Sequence, residues 1–476
     1  MFNEGTGMST IVTFISGFVG GLAALLMPCI FPMLPLTVGF FTKRHHNRRQ
    51  GIRDALLYGL AIILIYVGLG MAITIVFGAS ALNNLATNGV FNLGFFLLLV
   101  VFAASFLGAF ELTLPSKWIN KAEENTGKKG FGGILMMAAV LALVSFSCTG
   151  PIIGTLLVQA AGSGQRLGPV IGMLGFSIAL ALPFVLFALF PSWLQSLPKS
   201  GGWMETIKTS LGFLELGLSL KFLSNVDLAY HWHWFDREVF LVLWIMISGC
   251  FGLYLLGKLH LEDHLTKGIG VPRLFSGILV GAFSLYMIPG LWGAPLKSIA
   301  AFLPPQDTQD FDLYTQSFKM TPQSGYGLVR AGAAGTKHKD LFHAPLGLSA
   351  FFDYEEGMAY AMSVNKPVLI DFTGHACVNC RKMEAAIWPD PKVLPLIRDE
   401  YVLIQLYVDD KTAVGSSTIG EINSKLQAEK FNSNSQPDYV LLDNKGKLLT
   451  QPVGAIYNAA VYAAYLQSGL NKFKKL

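Results

Sequence analysis

The chain has 476 residues, of which 52% are hydrophobic and only 14% charged, with a net charge of +5. That composition is far from a soluble average and implies a polytopic membrane protein with more than one domain. The modest positive charge calls for no nucleic acid, because many of the basic residues sit in short loops between apolar runs. Five cysteines, Cys29, Cys148, Cys250, Cys377 and Cys380, are too few and too scattered for a disulfide scaffold and read as working thiols with one left over. The first ten residues, MFNEGTGMST, lack the basic start of a secretory signal, so the first apolar run is read as a retained span.

Apolar runs lie at about 9–41, 55–78, 90–112, 131–162, 168–190, 207–224, 239–257 and 272–291, eight candidate spans. The loop KRHHNRRQGIR after the first run carries five Lys or Arg, and the loops near 113–130, 191–208 and 258–273 are also basic. The alternate loops near 79–89, 163–167 and 225–238 offer only Arg166 and Arg237. The basic set is therefore expected in the cytoplasm, with the N-terminus and everything after the eighth span outside.

The first run is longer than the roughly 20 residues a spanning helix needs, and it is interrupted by Met27-Pro28-Cys29-Ile30-Phe31-Pro32-Met33-Leu34-Pro35. Proline removes a backbone donor and clashes with the preceding turn, so Pro28, Pro32 and Pro35 should break the helix near Cys29. Broken backbone at membrane depth survives only when buried in protein or lining a wet cavity. A proline-kinked helix with a small buried cysteine is the plainer alternative. The fourth run repeats the pattern, with Ser147-Cys148-Thr149-Gly150-Pro151 near its middle. Two interrupted segments in corresponding halves point to inverted three-helix repeats with a site between them near the midplane. Glu111, Glu215 and Lys221 lie in or near spans, where ionisable groups either snorkel, pair structurally or face a cavity. Cys250, between Gly249 and Gly252, reads as a small core residue.

A polar connector rich in glycine and proline, residues 304–345, separates the membrane domain (1–303) from a soluble domain (346–476) and is long enough to let that domain move. LSAFFDYEEGMAYAMSVNK is expected to be helical and PVLIDF a buried strand; Cys377-Val378-Asn379-Cys380 then opens a helix through Lys382 and Glu384. YVLIQLYVDD reads as a strand, 419–430 as a helix, QPDYVLLDNKGKLLT as two strands joined at Asn444-Lys445-Gly446, and the segment after Tyr457 as a closing helix. This order, with a C-x-x-C opening a helix, predicts a thioredoxin-like α/β layout. At a helix N-terminus the amides and dipole stabilise a thiolate. Cys377 is then the exposed nucleophile, and Cys380, one turn in, attacks the resulting mixed disulfide. The alternative of half a zinc site lacks a second Cys or His pair at ligand spacing, and His375 is adjacent rather than spaced, so no metal is expected.

The stretch PVLIDFTGHACVNCRKME resembles the thioredoxin pattern. By that resemblance Asp371, six residues before Cys377, is the buried aspartate that assists proton transfer to Cys380, and Pro437 is the cis-proline facing the disulfide. Ala376 stands in place of the usual tryptophan and Val378-Asn379 in place of Gly-Pro. Together with PCIFPMLPLTVGFF and SFSCTGPIIGTLL, residues 9 to 476 resemble the thiol:disulfide interchange protein DsbD family. That resemblance implies eight spans, a membrane cysteine pair made of Cys29 and Cys148, and a C-terminal thioredoxin-like domain outside the bacterial inner membrane. Pro28, Pro32 and Pro151 would support the pair. Family members usually begin with an immunoglobulin-like periplasmic domain carrying its own cysteine pair. Here the first run starts at about residue 9, so that acceptor is expected either as a separate protein or as part of a longer chain.

The function implied is a transmembrane reductase without a diffusible cofactor, its only redox groups being cysteine pairs. Cytoplasmic thioredoxin would reduce Cys29 and Cys148, these would reduce Cys377 and Cys380, and the electrons would leave to periplasmic thiol-disulfide proteins, the chain lying in membrane lipid. Two rivals are a dedicated reductant supply for cytochrome c maturation, as in the shorter CcdA proteins that resemble residues 9 to about 224, and a solute transporter with a binding module. The orientation is directly testable. In a cysteine-free background, Arg48→Cys and Gly335→Cys should be labelled by an impermeant thiol reagent from opposite sides of the membrane, and labelling of both from one side would sink the topology.

Overall fold

The computed structural model describes residues 10–25, 52–53, 56–68, 88–110, 138, 168–189, 202–259, 270–313 and 337–476. Cys29, Cys148, Pro28, Pro32, Pro35, Pro151 and Glu111 lie outside the described residues, and so do both expected helix breaks. The described residues fall into two compact units. One is drawn from Met1–Ala86, Leu97–Leu216 and His260–Ile269, the other from Thr87–Phe96, Gly217–Leu259 and Gly270–Leu476.

The apolar runs form helices α1 (Thr10–Ala24), α2 (Leu56–Gly68), α3 (Gly89–Phe106), α4 (Gly168–Leu189), α5 (Gly202–Tyr230), α6 (Arg237–Leu255) and α7 (Val271–Met287). Among the described residues, Gly89–Phe106, Arg237–Leu255 and Val271–Trp292 are long and apolar enough to cross a membrane. In the first unit α1 packs on α4 through small residues. A Cβ on Gly21 would lie 2.5 Å from the Phe176 carbonyl oxygen, and one on Gly17 would collide with the Gly172 carbonyl. Lipid gives helices no hydrophobic reason to associate, so close backbone approach at small residues supplies the van der Waals contact instead. Ile11, Ile15 and Val19 on α1 stay more than half exposed, as lipid-facing side chains would. Glu215 is 1% exposed, so it is buried rather than snorkelled.

In the second unit α6 packs on α7, and the Ser284 hydroxyl donates to the Ile245 carbonyl at 3.1 Å. Cys250 departs from expectation here: it is a free thiol only half-buried, not a core residue. The ends of the connector are tied down. The Arg237 guanidinium donates to the Pro304 carbonyl at 2.7 Å, the Gln309 amide donates to the carbonyls of Gly290 and Leu291, and Phe342 is 3% exposed.

The C-terminal domain of this unit holds a four-stranded sheet of β1 (Ala350–Phe351), β2 (Val368–Thr373), β3 (Val402–Tyr407) and β6 (Asp438–Leu442) in the order β1-β3-β2-β6. β1 and β2 run parallel to β3, and β6 runs antiparallel to β2. β2 and β3 are buried at every residue, as strands covered on both faces must be, which explains their continuous apolar spelling. One face, with Val368, Ile370, Phe372 and Ile404, packs under α8 (Tyr354–Val364) and α10 (Ile419–Phe431). The other, with Leu369, Leu403, Tyr439 and Leu441, meets Met383 of α9 (Val378–Ala386), Trp388, and Tyr462 and Leu466 of α11 (Ala459–Phe473).

Three expectations shift. The helix expected from Leu348 starts only at Tyr354, because Ala350 and Phe351 pair with Leu403 and Ile404, and the Asp353 carboxylate caps the helix by accepting from the Glu356 N–H at 3.0 Å. The strand expected after Gly446 is reduced to a bridge between Leu442 and Leu448, beyond a turn in which the Asp443 carboxylate accepts from Lys445 and Lys447. A small hairpin, β4 (Ala413–Val414) with β5 (Ser417–Thr418), precedes α10 and had no counterpart in the expected order.

Gly420 seats α10 against the end of β3: a Cβ there would lie 2.6 Å from the Asp410 carbonyl oxygen and 2.7 Å from its nitrogen. Backbone cannot give way as a flexible side chain can. Gly420→Ala should destabilise the domain by about 1–3 kcal/mol, read by pulse proteolysis in urea on the detergent-solubilised chain. An unchanged midpoint would mean that this contact is not tight.

Candidate functional site

The cysteine pair sits where β2 hands over to α9. Thr373 ends the strand, the Cys377 N–H closes a turn onto the Gly374 carbonyl at 3.2 Å, and Cys377 becomes the N-cap of α9. Cys377 and Cys380 are joined in a disulfide with Cα atoms 5.3 Å apart. The first sulfur also accepts from the Cys380 N–H at 3.1 Å, so one of the unpaired donors of the helix start is aimed at the atom that would carry a thiolate. Cys377 is 9% exposed against 1% for Cys380, which matches the expected order of access, although neither is open.

Asp371 lies at the centre of β2, in register with Gln405 on β3 and Tyr439 on β6, and is 1% exposed. The Gln405 amide donates to one carboxylate oxygen at 3.0 Å, while the other oxygen has no protein partner. Burial pushes the Asp371 carboxyl up to about 6, against the opposing pull of the Gln405 hydrogen bond and the Arg381 charge. Arg381 and Glu384, one turn apart on α9, form a buried ion pair at 3.0 Å, and Arg381 also reaches the Thr373 hydroxyl at 3.3 Å. Burial raises the Glu384 carboxyl, against the pull of the Arg381 charge beside it. The Gln436–Pro437 peptide bond is cis, the isomer expected at that position.

The turn ahead of Cys377 is held by residues the sequence reading passed over. The two oxygens of the Asp409 carboxylate accept from the backbone N–H groups of His375 and Ala376, at 2.9 and 3.0 Å. The His375 ring stacks on Tyr407 with centroids 4.6 Å apart. On the outer side the Tyr457 hydroxyl donates to the Asn379 side-chain carbonyl at 2.6 Å, the Lys382 ammonium lies 4.0 Å over the Tyr457 ring, and Val378 is 42% exposed. Arg381 and Glu384 could have been suspected from their i,i+3 spacing on the helix carrying the pair. The roles of Asp409 and Tyr457 had no local signal. Of the expected site residues, Cys377, Cys380, Asp371 and Pro437 are all in this one domain, whereas Cys29, Cys148, Pro28, Pro32 and Pro151 fall outside the described residues.

Residues 10–226 match the family described as the cytochrome C biogenesis protein transmembrane domain, and residues 354–470 match the thioredoxin-like domain family. The chain is 25% identical over 461 residues to the thiol:disulfide interchange protein DsbD of Ralstonia nicotianae, covering 95% of this chain and 67% of that one. It is 26% identical over 473 residues to DsbD of Pseudoalteromonas atlantica, covering 97% and 69%. Against DsbD 2 of Pseudomonas aeruginosa it is 29% identical over 385 residues, 79% of this chain and 58% of that one. The chain thus spans between 58% and 69% of the length of these relatives. The order of the two domains, the lengths over which these relatives align and the cysteine pair at the start of α9 agree with one another: the chain belongs to the family of the thiol:disulfide interchange protein DsbD.

Proposed function

We propose that this chain is a transmembrane protein-disulfide reductase of the bacterial inner membrane, carrying electrons from cytoplasmic thioredoxin through Cys29 and Cys148 to Cys377 and Cys380, and from there to periplasmic thiol-disulfide proteins. The observation that carries the reading is the Cys377–Cys380 disulfide at a helix start, in a domain whose central strand buries Asp371, within a chain whose N-terminal half matches a transmembrane family. Eight spans, inverted halves and a periplasmic C-terminal domain belong to the same proposal and rest on the runs, broken segments and loop charges of the sequence. The family description matched by residues 10–226 also favours a second reading, dedicated supply of reductant to cytochrome c maturation. The attached thioredoxin-like domain favours the broader one.

In the reduced soluble domain the Cys377 thiolate attacks a partner disulfide, forming a mixed disulfide and releasing one partner thiolate. Cys380 then gives its proton to the Asp371 carboxylate and attacks the Cys377 sulfur, releasing the second partner thiol and restoring the Cys377–Cys380 disulfide. Two electrons leave, and two thiols and one disulfide have changed places. The membrane pair regenerates the dithiol by the same exchange. Cytosolic thiol pools are more reducing than the space outside, and for a two-electron exchange about 30 mV shifts the equilibrium tenfold.

Cys29→Ala should leave Cys377 and Cys380 oxidised in cells, whereas Cys377→Ala should leave the membrane pair reduced, since thioredoxin still fills it and nothing drains it. Acid quenching, thiol alkylation and mobility shifts read both. A reduced outer pair in the Cys29→Ala strain would overturn the order. Asp371→Asn should slow resolution of the mixed disulfide by about 100-fold. The base form of Asp371 is populated above about pH 6, so the wild-type resolution rate should rise through that pH and the variant should lose the rise. Stability should move the other way. An acid whose folded pKa is raised contributes fully at low pH and loses that contribution as pH rises through the folded value, here about 6. Asp371→Asn should therefore be more stable than wild type at pH 8 by on the order of 2–3 kcal/mol, with little difference at pH 4.

A further inference from the structure

Three side chains from distant parts of the second unit meet beside the turn that leads into Cys377. His231 comes from the segment after α5, His375 from the turn itself, and Asp410 from the segment after β3. Both imidazole Nε2 atoms meet the same carboxylate oxygen, Asp410 Oδ2, His231 at 2.7 Å and His375 at 3.0 Å. The three ligand-type atoms lie within 4.8 Å of one another, and the side chains of His375 and Asp410 are 7% and 0% exposed.

Each group is aimed from behind. The second Asp410 oxygen accepts from the Thr412 N–H at 2.8 Å. The His375 ring is stacked on Tyr407, and its backbone N–H is held by Asp409. His231 stands at φ 53, the left-handed region that a β-carbon disfavours, and its ring meets Phe342 edge-on at 5.6 Å. Such backbone persists only where the surroundings impose it. The Thr412 N–H on the second Asp410 oxygen is an outer partner of the kind that orients metal-binding carboxylates.

We propose that His231, His375 and Asp410 form a two-histidine, one-carboxylate site for a divalent transition cation of the zinc type. Nitrogen and oxygen donors in this ratio suit zinc and its neighbours, and three protein ligands leave a further position open. With metal–ligand bonds of about 2.0–2.1 Å, tetrahedral ligand atoms stand about 3.3 Å apart. The two separations from Asp410 Oδ2 need to open by about 0.6 and 0.3 Å, and the two imidazole nitrogens, within 4.8 Å of each other, need to close by up to about 1.5 Å, which calls for small rotations of both rings. The bound cation would tie the turn ahead of Cys377 to the segment after α5 without using any thiol. The site is independent of the electron route proposed above.

The test uses the full chain in detergent, stripped with a chelator, with the Cys377–Cys380 disulfide intact and all remaining thiols blocked by N-ethylmaleimide, so that no cysteine can ligate. Titration with Co(II) should show one equivalent bound, with visible absorption of low-symmetry coordination, displaced by Zn(II). His375→Ala and Asp410→Asn should each weaken binding at least tenfold. In the wild-type chain, Zn(II) should protect both His231 and His375 from diethylpyrocarbonate, mapped by peptide mass, and this readout decides the matter if a variant does not fold. Absence of stoichiometric binding, binding unchanged by both substitutions, or unprotected histidines would each overturn the site and leave the three groups as a hydrogen-bonded clasp.

Discussion

An acid buried in the middle of a sheet is the constraint to which the soluble domain answers. Asp371 stands between β3 and β6 with one oxygen on Gln405 and the other without a protein partner. An ionised carboxylate in such a place is expensive, and the usual relief is to hold the proton. The groups around it keep that relief partial. Gln405 and the Arg381 charge favour the anion, whereas burial and the nearby Asp438 favour the acid. The outcome is a group that can take up or release a proton near neutrality, beneath a helix whose first turn carries the disulfide. A hydrophobic residue would make a more stable strand there and a chemically inert one.

The helix start above it shows the same economy of parts. Cys377 caps α9 with its own sulfur, so the atom that closes the helix is also an atom of the disulfide. Opening the disulfide changes the charge on a cap, which couples redox state to the local stability of the helix. Asp409 fixes the two residues ahead of it through backbone N–H groups, leaving the turn little freedom to follow the sulfur.

What could be read from the chain was what its local spelling carries. The unbroken apolar strands, the C-x-x-C at a helix start and the proline after Gln436 are each set within a few residues, and each was found where expected. Ala350 and Phe351 were misread as helical because only their pairing with β3, some fifty residues later, makes them a strand. The strand expected after Gly446 was misread too. Beyond the turn held by Asp443, pairing back onto β6 is left with single bridges, Leu442 with Leu448 and Tyr439 with Val453. His231 and Asp410 stand 179 positions apart, and no spacing rule links them. Among the described residues of the membrane half, helices lie where the apolar runs are, but the seating of α1 on α4 depends on Gly17, Gly21 and the facing backbone, a match invisible in either run alone.

The rim formed by Val378, Asn379, Lys382 and Tyr457 differs in kind from the acid and sulfurs beneath it. Tyr457 comes from just before the last helix and reaches the dipeptide between the cysteines through a single hydrogen bond. Three of these four residues are interleaved with the cysteines on α9, and only Tyr457 is brought in from a distant part of the chain. A substitution at Asn379 or Tyr457 would therefore alter the outer face of the cysteine turn while leaving the buried acid and the two sulfurs seated as they are.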